Sequence, residues 1–209
     1  MKRYIFYLST ARGASQVPLP DWMIEKYSGK SGMIDPFNRE RLSSYGYDMT
    51  LDRNFLIPKM NYRSGVVVDP KHVNPRDFQK YRGVHVTIPP SGFVLGKSKE
   101  YFRIPRNILA ICLGRSTYAR CGIITNVTPL EPEWEGFVTI EISNTNHVPA
   151  RVYADEGISQ VVFLDAQDVC KVSYAEKGGV YQKQTDITLP RMNRRSSVRT
   201  VSRRTRAKS

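Results

Sequence analysis

The chain has 209 residues, 40% hydrophobic and 24% charged. This is an ordinary globular balance that excludes wholesale disorder and is sized for one domain with appendages. No run of about 18 apolar residues occurs, so no membrane-spanning helix and no membrane partner are predicted. The net charge of +13 is concentrated at one end: Arg191 to Ser209 carries eight Lys or Arg and no acid, leaving 24 bases against 19 acids for residues 1–190.

In chain order, residues 1–19 read as an N-terminal extension. The first fifteen, MKRYIFYLSTARGAS, contain Lys2, Arg3 and Arg12 without an acid, a faint organelle-import pattern that is equally a basic terminus. Cys112, Cys121 and Cys170 are odd in number with no close pair, so neither a disulfide framework nor a CxxC metal knuckle is predicted. A reducing, cytoplasmic setting is expected. Asp21 to Gly29 follows Pro20, opens on a capping-type Asp and closes on Gly, which predicts a short helix.

From Tyr45 to about Val172, short β-branched and aromatic runs alternate with Pro, Gly and Asn. They are NFLI before Pro58, VVVD before Pro70, VHVTI before Pro89, FVTIEIS before Asn144, and QVVFL after the Glu156-Gly157 turn. The spacing predicts a mainly β chain folded as an antiparallel β-sandwich or barrel. Within FVTIEIS, Val138, Ile140 and Ile142 alternate with Thr139 and Glu141, so a strand sends the apolar trio one way and Glu141 the other. Taken locally, Glu141 belongs either to a solvated face or to a site. The stretch SYAEKGGVYQKQTDI, Ser173 to Ile187, is polar and Gly-bearing and is predicted to be mobile and outside the core. Beyond residue 190 the basic tail is predicted to be disordered, serving either as an arm for nucleic acid or another polyanion or as a solubilising appendage.

Two stretches carry the chemistry. Gly114 to Gly122, GRSTYARCG, sets Ser116 and Thr117 as cap-type hydroxyls beside Arg115 and Arg120 at the start of one helical turn. That combination suits a phosphate, and it also suits an ordinary capped loop. Glu131, Glu133 and Glu135 crowd three carboxylates into five positions, where mutual repulsion raises pKa values if the groups are buried. A zinc deaminase needs H-x-E and P-C-x-x-C segments. The sequence has neither, and His72, His85 and His147 are isolated, so no protein-bound metal and no zinc are expected. No GxSxG elbow supports a serine hydrolase.

SSYGYD (Ser43 to Asp48), RSTYARCGII (Arg115 to Ile124), NVTPLEPEWEG (Asn126 to Gly136), TIEISN (Thr139 to Asn144) and EGISQ (Glu156 to Gln160) occur in this order. Together they resemble the dCTP deaminase family over roughly residues 20–190. The resemblance implies the dUTPase-like β fold, a homotrimer with sites between subunits, and deamination of dCTP to dUTP and ammonia without catalytic zinc. Magnesium is implied only as the triphosphate's counter-ion. Glu141 matches the catalytic glutamate, Ser116 a residue that helps hold the attacking water, and Arg120 one that reaches into the catalytic centre. Arg115 and Thr117 match the triphosphate cradle, with Tyr118 and Ala119 in the same run. Thr128 and Pro129 match the edge that reads the base, and Thr139, Ile140, Gln160, Tyr174 and Gln184 match further nucleotide contacts. Glu131 stands where a carboxylate acts in related dUTPases, so a second step to dUMP and diphosphate stays open.

The sequence departs from the family pattern at Val180, where a lid lysine is usual, and at Thr185-Asp186. Lys177 and Lys183 are the nearby replacements for the missing cation. The alternative is a catalytically weakened trimer repurposed as a structural or nucleic-acid-associated protein through its tail.

Overall fold

Pro20, extended at φ −72°, ψ 164°, caps the first helix, α1 (Asp21–Ser31). Asp21 therefore sits one residue inside the helix instead of capping it, and its carboxylate accepts the Trp22 N–H at 2.7 Å. The helix runs two residues past the predicted Gly29. It stops where Gly32 takes the left-handed conformation (φ 63°) and donates its N–H to the Ser28 carbonyl, a stop that Gly accepts without steric cost.

The computed structural model describes residues 18–59, 67–166 and 168–191. Nearly all of the N-terminal extension and the tail beyond Arg191 lie outside them, so the import pattern and the polyanion arm fall beyond the described chain. After α1 come β1 (Ile34–Asp35), β2 (Leu42–Ser43), β3 (Gly46–Thr50), β4 (Asn54–Pro58), β5 (Phe78–Arg82), β6 (His85–Ile88), β7 (Phe93–Arg103) and β8 (Ile108–Gly114). A single helical turn, α2 (Ser116–Ala119), then leads to β9 (Ile123–Asn126), β10 (Glu135–Asn144), β11 (Ala150–Tyr153) and β12 (Gly157–Asp165).

One sheet runs β5-β4-β7-β10-β9 with β1 beside β7, a second runs β2-β3-β12-β8, and β11 pairs with β6. All these ladders are antiparallel. Phe55, Phe102, Ile140 and Ile142 of the first sheet join Tyr47, Met49, Val161 and Phe163 of the second in one continuous buried cluster. A shared core of this kind makes the chain a β-sandwich.

The strands predicted at NFLI, VHVTI, FVTIEIS and QVVFL are present. The VVVD run gives no strand among its described residues: Val67, Val68 and Asp69 are irregular, with Val67 and Val68 82% and 83% exposed. β-branched residues form strands only where a neighbour supplies the ladder and a face to pack on, and this run has neither.

The C-terminal segment, expected to be mobile and outside the core, is instead docked. Phe137 N–H donates to the Gln184 carbonyl (2.9 Å) and Lys183 N–H to that of Glu135 (2.8 Å), fastening the segment along the start of β10. Ser173 and Gln184 are buried despite their polarity.

Candidate active site

β10 places the central residue. Its burial alternates strictly, with Val138, Ile140 and Ile142 sealed in the core and Thr139 and Glu141 on the opposite face. Glu141 lies in register with Leu95 on β7 and Asn126 on β9, so strands flank it on both sides. Its carboxyl is half-buried in the wall of a cavity of about 1260 Å³. Burial holds its pKa above the ordinary glutamate value, its own backbone N–H offsetting part of the rise, and a carboxylate made more basic in this way is better suited to take up and pass on a proton.

The same cavity is lined by Thr139, Thr128, Pro129 and Glu131, and by Tyr174 and Gln184 from the docked C-terminal segment. Seven of the predicted residues therefore converge. Gln184 Oε1 meets Thr139 Oγ1 at 3.4 Å, and Thr139 Oγ1 accepts the Thr188 N–H at 3.1 Å. Ile140 does not join them: its side chain is fully buried, leaving only main-chain atoms for any contact.

The crowded carboxylates are each matched to a cation. Glu131 pairs with Lys177, Glu133 with Arg106 at 3.0 Å, and Glu135 with Lys183 at 3.3 Å and Arg103 at 3.9 Å. Mutual repulsion is thus answered by ion pairs drawn largely from distant sequence.

Arg115 to Arg120 form a second group. Arg115, not a hydroxyl, occupies the cap of α2, and no side chain caps the turn. Ser116, Thr117, Ala119 and Arg120 are exposed, and Tyr118 is buried as the anchor of the turn. Arg115 is held by Asp48 (3.1 Å) and the Gly157 carbonyl (2.9 Å), and Gln160 donates to Ser43 Oγ at 2.8 Å. These residues gather at the β3–β12–β8 sheet and do not line the Glu141 cavity. Among the described residues, no three His, Cys, Asp or Glu side chains cluster as a metal site would require.

Three residues of consequence, Trp134, Arg106 and Glu100, were not anticipated, and Lys177, expected as a replacement cation, has partners that were not. Trp134 lines the cavity and donates its indole N–H to the Tyr181 carbonyl (2.9 Å). Lys177 lies 5.3 Å from the Tyr174 ring as well as on Glu131. Arg106 gathers the root of the C-terminal segment. Glu100, 3% exposed, accepts from Thr50 N (3.0 Å) and Tyr47 OH (3.3 Å), and burial raises its pKa. Only the acidic EPEWEG turn, which needed partners, hinted at any of them.

An antiparallel sandwich with a strand-borne, half-buried glutamate in a large cavity defines the molecule as a β-sandwich protein with a carboxylate-centred site. Residues 19–166 match the family described as dCTP deaminase-like. The chain is 50% identical to the dCTP deaminase of Acidithiobacillus ferrooxidans over 184 residues, covering 82% of this chain and 97% of that one. The Roseiflexus castenholzii dCTP deaminase is 52% identical over 181 residues, with 82% and 97% covered. The chain belongs to the dCTP deaminase family. A solved structure, the 2'-deoxycytidine 5'-triphosphate deaminase from Agrobacterium tumefaciens, superposes with a TM-score of 0.58 at 14% identity. It matches 71% of this chain and spans about half (48%) of that one, a likeness of fold.

Proposed function

We propose that this protein deaminates dCTP: water adds to carbon four of the cytosine, and dUTP and ammonia leave. The observation that carries the reading is Glu141, a half-buried carboxylate of raised pKa, on the cavity face of β10. Glu141 takes a proton from water as the oxygen bonds to carbon four. It then delivers that proton to the exocyclic nitrogen, the remaining proton of the added oxygen passes to ring nitrogen three, the carbon–nitrogen bond breaks with loss of ammonia, and the carbonyl of uracil remains. Proton transfer by a placed group contributes about 10²–10⁴-fold to rate.

The main chain at Thr128 and Pro129 reads the base edge, and Thr139, Gln184 and Tyr174 complete the nucleoside pocket. Arg115, Ser116, Thr117 and Arg120 are assigned to the triphosphate and the water. They lie away from the Glu141 cavity in a single chain, which favours a homotrimer in which one subunit supplies Glu141 and a neighbour the α2 turn. Magnesium is assigned to the triphosphate as charge neutralisation. The described residues offer no ready-made metal cluster.

Val180 lines the cavity where the family pattern has lysine. Lys177, paired with the cavity-lining Glu131, is the replacement the geometry favours, since Lys183 is paired with Glu135, which does not line the cavity. Incubation with dCTP and magnesium followed by anion-exchange chromatography tests the proposal. dUTP and ammonia in equal amounts are expected, dUMP would show a second hydrolysis for which Glu131 is the candidate, and unchanged dCTP would refute the reading.

A further inference from the structure

The segment that walls the cavity is fastened at its root by one side chain. Arg106 lies in the turn between β7 and β8. Its Nη1 donates to Glu176 Oε1 at 2.9 Å and Glu133 Oε2 at 3.0 Å. Its Nη2 donates to Glu176 Oε2 at 3.1 Å and to the Cys170 and Lys171 carbonyls at 3.2 Å each. Glu176 Oε2 also receives the Ser173 N–H at 2.8 Å, and Ser173 Oγ receives the Glu176 N–H at 3.3 Å. The Glu176 carboxyl is held down at about 2, chiefly by the Arg106 hydrogen bond.

One guanidinium therefore joins three pieces of chain: its own turn, the Glu133 turn ahead of β10, and the stretch from Cys170 to Glu176. Only a planar fork with several fixed donors satisfies a carboxylate in bidentate fashion and two carbonyls at once. Immediately beyond this root come Lys177 on Glu131, the Gly178-Gly179 pair, and Tyr181, whose carbonyl receives Trp134. Tyr174, within the clamped stretch, lines the cavity.

We infer that Arg106 is a positioning residue for nucleotide binding. Without touching substrate, it sets the fraction of molecules whose C-terminal segment is docked as the cavity wall. Apparent affinity falls in proportion to that fraction, so a docked population reduced to about a tenth raises KM about tenfold. The kinetic part rests on the dCTP reading; docking itself does not.

Trp134, 4% exposed, reports docking directly, and the other tryptophan, Trp22, is 54% exposed and far from any assigned role. The experiment uses the full chain with Trp22→Phe. In Arg106→Ala, without nucleotide, Trp134 emission is expected to shift red and acrylamide quenching to increase. KM for dCTP is expected to rise about tenfold or more with kcat within about twofold. Arg106→Lys keeps the charge without the fork and should fall between. Glu176→Gln should move the same readouts in the same direction and decides the matter if Arg106→Ala does not fold. Unchanged Trp134 quenching, a fall in kcat at constant KM, or full restoration by lysine overturns the inference. A parent protein that leaves dCTP untouched refutes the catalytic reading, and the quenching still decides the clamp.

Discussion

Glu141 combines two properties that usually exclude each other in a strand: it is ionisable, and it is flanked by core residues. The cost of desolvating its charge is visible in its raised pKa. Below about 4.5, the ordinary glutamate value, the carboxyl is protonated in both the folded and the unfolded chain. As pH rises through the higher folded pKa, the unfolded chain releases this proton more readily, so the folded state loses stability. Glu141→Gln has no such loss. Thermal melts from pH 4 to 8 should show the variant gaining on the parent protein as pH rises and holding a constant lead above the window. Its deamination rate should fall by at least about 10²-fold, measured as ammonia release. The acid limb of kcat/KM in the parent protein should lie above 4.5, because the free enzyme needs this carboxylate ionised. Glu100 is a different case, since its carboxylate is bonded on both oxygens. Glu100→Ala strands the Thr50 N–H in the core and should cost about 1–3 kcal/mol or more in urea unfolding.

Elements were legible where their local pattern agreed with their surroundings. β10 was readable because apolar and polar residues alternate from Val138 to Ser143, and α1 because proline and glycine bracket it. β7, the longest strand, was not singled out: FVLGKSKEYFR carries Lys97, Lys99 and Glu100. Those charges are tolerated because Lys97 covers the Phe137 ring at 4.4 Å and Glu100 has buried donors, conditions that exist only once the sheet has formed. The VVVD run failed for the opposite reason, having the propensity but no partner strand. In the C-terminal segment, polarity was read as looseness, whereas its main chain is satisfied by β10 and by Trp134. If Lys177 serves the triphosphate, Lys177→Gln should raise KM for dCTP about 10–150-fold, the worth of one charge-assisted contact. Lys183→Gln, removing a cation tied to Glu135, should change KM by less than about threefold.

For the whole molecule, the separation of the α2 turn from the Glu141 cavity makes a mixing experiment decisive. Glu141→Gln and Ser116→Ala proteins, each inactive alone, should regain deaminase activity when unfolded together and refolded, because some sites then combine two intact halves. No recovery would argue for a site completed within one chain. The basic tail belongs to the same scale: binding to DNA or RNA that survives truncation at Pro190 with an unchanged salt dependence would remove any role for it as an arm.

The order of motifs along the chain, the alternation that turns Glu141 away from the core and the lack of metal-binding segments were all readable from the amino acids alone. Each is a property of near neighbours, written at the spacing of a strand or a turn. The pairing of Arg106 with Glu176, of Lys177 with Glu131 and of Trp134 with Tyr181 was decided only by the fold. These partners are 70, 46 and 47 residues apart, and which distant charge or carbonyl meets which depends on how two sheets and a docked segment close on one core.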